Sequence, residues 1–147
     1  MIKTTQLVKQ ELKDLEEEFE YLESPMEKME FILDFAKEGL VDENICQDEH
    51  NKVEGCVTRA YVKIDIKEDS QITCSYFADA LIIRGFFEVI TQILEDSKIE
   101  DLKENLNQLQ QFSSNVGLES FLSPNRANAL FNIFKKIEYF ENKLKLN

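Results

Sequence analysis

Asn51-Lys52-Val53-Glu54-Gly55-Cys56-Val57-Thr58-Arg59-Ala60-Tyr61 is the stretch whose reading decides the fold. It sets a cysteine directly after one of only four glycines, then runs into alternating residues. Glycine accepts a tight turn or a positive φ at little steric cost. Thr58, Ala60, Val62, Ile64 and Ile66 alternate with Arg59, Tyr61, Lys63 and Asp65, which is the period of a half-buried strand. A thiol carried on a turn at the mouth of a sheet follows from this. A free cysteine is more often an inert, buried small hydrophobe, so the turn, rather than the residue type, makes Cys56 a candidate.

Downstream, Lys67-Glu68-Asp69-Ser70 reads as a polar turn, and Ile72, Cys74 and Tyr76 alternate with Thr73, Ser75 and Phe77 as the returning strand of a hairpin. Cys74 shares a face with Ile72 and is expected to be buried. Asp79 is placed to cap the next helix. That helix, 80–94, is apolar nearly all round and belongs in the middle of the domain. Gly85 inside it forgoes about 1 kcal/mol of helix propensity, which implies a close neighbour, taken to be the sheet. Short helices are expected over 98–105 and 106–112, ending near Gly117. Ser123-Pro124 then opens a last helix with Ala127, Leu130, Phe134, Ile137 and Leu144 on one stripe.

Upstream, Val8, Leu12, Leu15, Phe19 and Leu22 recur at steps of four and three, an amphipathic helix from about Thr5 to Tyr21. Ser24-Pro25 starts a second helix, stopped near Gly39. Residues 40–50 lack a period and read as an exposed acidic loop, with a short strand over 51–54. The order is two helices, a hairpin with two or three strands, then helices: one α+β domain over 1–147 with a small antiparallel sheet.

Composition narrows the function. The net charge of −12 repels phosphate backbones and anionic membranes, so nucleic-acid and membrane partners are not expected. At long range it favours a partner with a basic face. There is no apolar run near the roughly 20 residues of a spanning helix and no secretory signal pattern, so a cytoplasmic location is expected. The three cysteines, an odd number, fit free thiols in a reducing compartment. Cys46, Cys56 and Cys74 lack the short step of a zinc site, and the lone His50 does not supply one, so no metal or other cofactor is expected. Triads and phosphate-binding loops are missing. Besides Cys56, Arg126 breaks a local rule: it is the third residue of the last helix, where the helix dipole favours anions. It is a candidate functional residue, or else it pairs with a nearby carboxylate such as Glu119.

Three segments resemble a known family. Asn51-x-Val53-x-Gly55-Cys56, followed by Arg59 and an aromatic at Tyr61, is similar to the N-x-V-x-G-C-x-S-x-V-W segment of SufE-type sulfur acceptors. Asp79-Ala80-x-Ile82-x-Arg84-Gly85 resembles that family's D-A-x-I-[VI]-[KR]-G helix start. Gly117-Leu118, with Pro124-x-Arg126-x-Asn128-x-Leu130 beyond, resembles its G-L-x-x-x-L-[ST]-P-S-R-[SA]-[NQ]-G-L segment. Tyr61 stands where tryptophan is usual, Phe121 where histidine is frequent, and Cys46 has no place in the pattern.

The resemblance implies the α+β fold shared with IscU-type scaffolds. It also implies a protein that accepts persulfide sulfur from a pyridoxal-phosphate cysteine desulfurase, stimulates that enzyme, and passes the sulfur on for iron–sulfur cluster assembly without turnover of its own. Cys56 would be the acceptor, with Gly55, Arg59, Asp79 and Arg126 in its loop or docking surface. The implied partners are the desulfurase and a downstream scaffold complex, with a weak homodimer also allowed. Thiol exchange needs a thiolate and access but no internal base, which suits a cysteine without a triad. The expected state is a sluggish thiol, tucked inward until a partner docks. The competing readings are a cluster scaffold, which needs fellow ligands for Cys56, and a non-redox adaptor.

Overall fold

The computed structural model describes residues 1–145. Helix α1 (Thr5–Glu20) begins at Thr4, whose hydroxyl accepts from the Leu7 amide. Helix α2 (Pro25–Glu38) begins at Ser24, whose hydroxyl accepts from Glu27 with proline in the first turn. Strands β1 (Ala60–Ile66) and β2 (Ile72–Ala78) pair antiparallel, Ala60 opposite Ala78 and Ile66 opposite Ile72. Helices α3 (Leu81–Leu94), α4 (Leu102–Asn115), α5 (Leu118–Phe121) and α6 (Pro124–Lys145) follow. Among the described residues the architecture is α+β, a two-stranded sheet among six helices.

Helix α3 is the centre. Ile82, Ile83, Phe86, Phe87, Ile90, Ile93 and Leu94 are all buried on it. Gly85 marks a close crossing, but the neighbour is α2 rather than the sheet: a methyl group at Gly85 would sit 2.4 Å from the Ile32 carbonyl oxygen. The sheet lays Val62, Ile64, Ile72, Tyr76 and Ala78 on the same core, and α6 closes it with Leu130, Ile133, Phe134 and Ile137.

Four local expectations are corrected. The two short helices over 98–112 are a single 3-10 turn, Ile99–Asp101, running into the continuous helix α4. Leu102, Leu106, Leu109 and Phe112 form one buried stripe along it. The strand over 51–54 reduces to an isolated antiparallel bridge, Lys52 to Tyr61. The segment 40–51 is not simply exposed: it folds into two 3-10 turns, Glu43–Gln47 and Glu49–Asn51. Ile45 there packs on Tyr61 and Phe77, so the second face of the sheet is also covered at this end. Asn51 fastens it, its buried amide donating to the Ile45 carbonyl at 3.0 Å. Finally, Asp79 does not cap α3; Ala80 holds that position with no side-chain hydrogen bond.

Candidate functional site

Gly55 has φ +81°, the left-handed region that favours glycine. A second reason excludes other residues, since a methyl group there would lie 2.5 Å from the Asn132 amide nitrogen on α6. The turn is closed at its base by the Val53 amide donating to the Ala60 carbonyl at 2.8 Å and by the Lys52–Tyr61 bridge. Cys56 therefore projects from a short loop whose ends the sheet fixes. Its thiol is half-buried and packs against the main core.

Cys56, Val57 and Thr58 form one wall of a cleft of about 430 Å³. Ala80, Ile82 and Ile83 from the start of α3 form the second wall, and Ser123, Asn125, Arg126 and Ala129 from the start of α6 the third. The first turns of two helices thus flank the cysteine. At α6 the Ser123 hydroxyl accepts from the Arg126 amide at 3.4 Å. At α3 the cap position is alanine, so the first-turn amides have no side-chain acceptor. Exposed amides and the positive ends of helix dipoles favour an anion. Arg126 is exposed and makes no ion pair among the described residues, Glu119 included. It is the cation that lines the Cys56 cleft.

Arg59 and Asp79 sit elsewhere. The Arg59 Nε and Nη2 groups donate to Asp79 Oδ2 and Oδ1 at 2.9 and 3.1 Å, a two-pronged fork. The guanidinium also lies 4.9 Å from the centre of the Phe77 ring. This engagement is why Asp79 is not available to cap α3. The pair holds Asp79 below the ordinary carboxylate range. The thiol it influences is Cys46, not Cys56. Burial raises the Cys46 pKa, Arg59 opposes this, and Glu43, Asp79 and Asp42 raise it further. The five singled-out residues therefore divide in two: Gly55, Cys56 and Arg126 at the cleft, and Arg59 with Asp79 beside Cys46.

Burial alone pushes the Cys56 thiol above its ordinary pKa. In the free protein it is held neutral, a form that is a poor nucleophile. Cys74 is only partly exposed on β2, packed against the core, and burial first and Glu95 second raise its thiol strongly. His50 is exposed on a 3-10 turn with its Nδ1 2.9 Å from Asp48. Among the described residues no three His, Cys, Asp or Glu side chains converge where they could hold a metal ion. No helix of the described residues is long and apolar enough to cross a membrane.

Ala80, Ile82 and Ile83 were not legible as part of the site. Ala80, a poor capping residue directly before an apolar helix, was the available signal.

Comparison with known proteins places the chain in context. Residues 13–140 match the family model described as SufE, Fe-S metabolism associated domain. The chain is 29% identical over 124 residues to a SufE-like protein of Synechocystis, covering 83% of this chain and 74% of that one. It is 22% identical over 125 residues to a SufE-like protein of Rhizobium meliloti, covering 83% and 88%. It is 24% identical over 127 residues to SufE-like protein 1, chloroplastic/mitochondrial, of Arabidopsis thaliana; that match spans 86% of this chain but 33% of the plant protein.

Proposed function

The chain belongs to the SufE family of Fe–S metabolism associated domains, and from that premise we propose that it is a sulfur acceptor with Cys56 as the receiving thiol. The donor is a pyridoxal-phosphate cysteine desulfurase, and the sulfur goes on to an iron–sulfur scaffold complex. The observation that supports this reading is the placement of Cys56 on a positive-φ glycine turn, in a cleft flanked by Arg126 and the first turns of α3 and α6.

The step balances without an external oxidant. The donor's persulfide carries a terminal sulfur on its own cysteine. The Cys56 sulfur attacks that terminal atom, a new S–S bond forms on Cys56, and the donor's S–S bond breaks. The donor's cysteine leaves as a thiolate and takes up the proton that Cys56 gives away. The Cys56 persulfide is anionic, and Arg126 with the two helix starts supplies positive potential where it sits. The thiol is held neutral before docking, so reactivity is switched on by the partner rather than stored in the free protein. This describes an accessory protein, with turnover residing in the donor, working in a reducing compartment such as the cytoplasm.

Mass spectrometry after incubation with a desulfurase and cysteine tests the reading. One added sulfur on Cys56, absent in Cys56→Ser, is the expected result. A Cys56→Ser chain that still enhances the desulfurase and delivers sulfur as well as the parent would overturn it and leave the adaptor reading. Bound iron in place of added sulfur would support a scaffold.

A further inference from the structure

Helix α6 carries five cations, Arg126, Lys135, Lys136, Lys143 and Lys145, against two carboxylates, Glu138 and Glu141. The chain as a whole has a net charge of −12, so this helix reverses the sign of the molecule. One of its two carboxylates is withdrawn from the exposed face, and the other, Glu138, is exposed one turn from Lys135. Glu141 is buried and accepts from Lys145 at 2.9 Å. Glu138 lines a separate hollow with Lys103.

Phe131, Lys135 and Tyr139 follow one another at helical spacing and are exposed, Phe131 at 59% and Tyr139 at 38%. The lysines lie over the rings: Lys135 Nζ is 5.6 Å from the Phe131 centroid, and Lys136 Nζ is 4.4 Å from that of Tyr139. Lys143 lies 5.8 Å from the Tyr139 centroid. Glu138 borders this face from the helix itself, and Glu54 and Asp48 approach Lys136 from outside it. Asp48 is already engaged by the His50 amide and ring.

This face adjoins the thiol. Gly55 rests on Asn132, the residue after Phe131 and one turn before Lys136. Val57, next to Cys56, is 79% exposed at the rim of the Cys56 cleft. Exposed aromatics are enriched at interface centres, and lysines around them add positive charge that steers a partner. At physiological ionic strength charges beyond about 8 Å are screened, so the local cations, not the net negative charge, decide what binds in contact.

We propose that the α6 face of Phe131, Lys135, Lys136 and Tyr139 is the docking surface for the sulfur donor, which meets it with an acidic protein segment. This rests on the sulfur-acceptor reading above. The donor is the partner assigned because its persulfide must be brought to Cys56, and this face lies beside the Gly55–Cys56 turn.

The test compares the parent, Lys135→Glu/Lys136→Glu, Phe131→Ala, and a control of equal charge change on α1, Lys9→Glu/Lys13→Glu. Two quantities are read with a purified cysteine desulfurase: its affinity for each chain at low and physiological salt, and the rate and limit of sulfur loading on Cys56. The expected result is an affinity loss of about tenfold or more for the α6 charge reversal, a weaker salt dependence, and normal loading at saturating enzyme. Phe131→Ala loses several-fold and the α1 control keeps the parent's affinity. All variants melt as the parent does.

Equal affinity for the α6 variant and the parent, with sulfur still loading on Cys56, overturns the docking surface and leaves the acceptor reading standing. Affinity lost on α6 reversal with no sulfur ever found on Cys56 does the opposite. A parent chain that does not bind the enzyme overturns both. A defect confined to delivery from preloaded Cys56 gives the face to the acceptor and overturns its assignment to the donor.

Discussion

Replacing Gly55 by alanine holds an L-residue at φ +81° and brings its methyl group to 2.5 Å from the Asn132 amide. The left-handed conformation alone costs roughly 1–2 kcal/mol. Gly55→Ala should therefore lower the urea midpoint by a corresponding amount, and adding Asn132→Ala should recover only the steric share. At Cys56 burial favours the neutral thiol, so its alkylation rate, followed by peptide mapping, should rise with pH about a midpoint above that of a cysteine peptide. A midpoint at or below the peptide's would contradict the buried-neutral state. Gly55, Cys56 and Arg126 were legible because their signals are local: a glycine before a cysteine, a proline-started helix with a cation in its first turn. The Arg59–Asp79 fork was not, because those residues are joined only by the closing of the hairpin. Cys46 could not be placed beside that fork for the same reason.

Helix crossings decide the next scale. In an isolated helix Gly85→Ala would gain about 1 kcal/mol. Here the new methyl would meet a backbone carbonyl at 2.4 Å, which cannot rotate aside, so the overpacking cost of roughly 1–3 kcal/mol should win and the urea midpoint should fall. A rise would mean that α2 can shift along α3. On α4, Asn105 is fully buried and its side-chain amide has no hydrogen-bond partner among the described residues. Asn105→Val, closer in volume than leucine and of similar helix propensity, should raise stability by roughly 1–3 kcal/mol, the cost of a buried unpaired polar group, read as a higher melting temperature. That same asparagine explains why α4 was read as two pieces. Its polarity interrupts the sequence pattern, while the leucine stripe on either side continues through it. The helix starts at Ser24 and Ser123 were readable because caps are written within four residues, and that of α1 from its apolar period. The start of α3 was misread because Asp79 had a better partner across the sheet.

Over the whole molecule, ionisation should bound stability on both sides. Cys46, Cys56, Cys74 and Tyr76 are all held neutral above their ordinary pKa values, burial being the leading cause in each. The unfolded chain releases these protons first and binds fewer than the native state, so stability should fall as pH rises beyond about 8.5, the ordinary thiol value. Asp48, Asp79 and Asp96 are held below their ordinary values, chiefly by bonds from the His50 amide, Arg59 and Lys67. Their contribution is present above the ordinary carboxylate value and is lost as pH falls through the lower native one. Melting temperatures across pH should show a plateau with losses at each end. The charge balance was plain from composition, but its segregation was not: a count of residues does not say that α6 carries five cations against two carboxylates. One further consequence lies in how residues 53–60 are fastened. The Val53–Ala60 bond clamps the base, while the amides from Glu54 to Thr58 make no backbone hydrogen bond among the described residues. The tip is thus less tied than its base, and local opening there need not unzip either strand. Hydrogen exchange should find the Val53 amide slow and its loop neighbours fast, two tempos within one short ribbon.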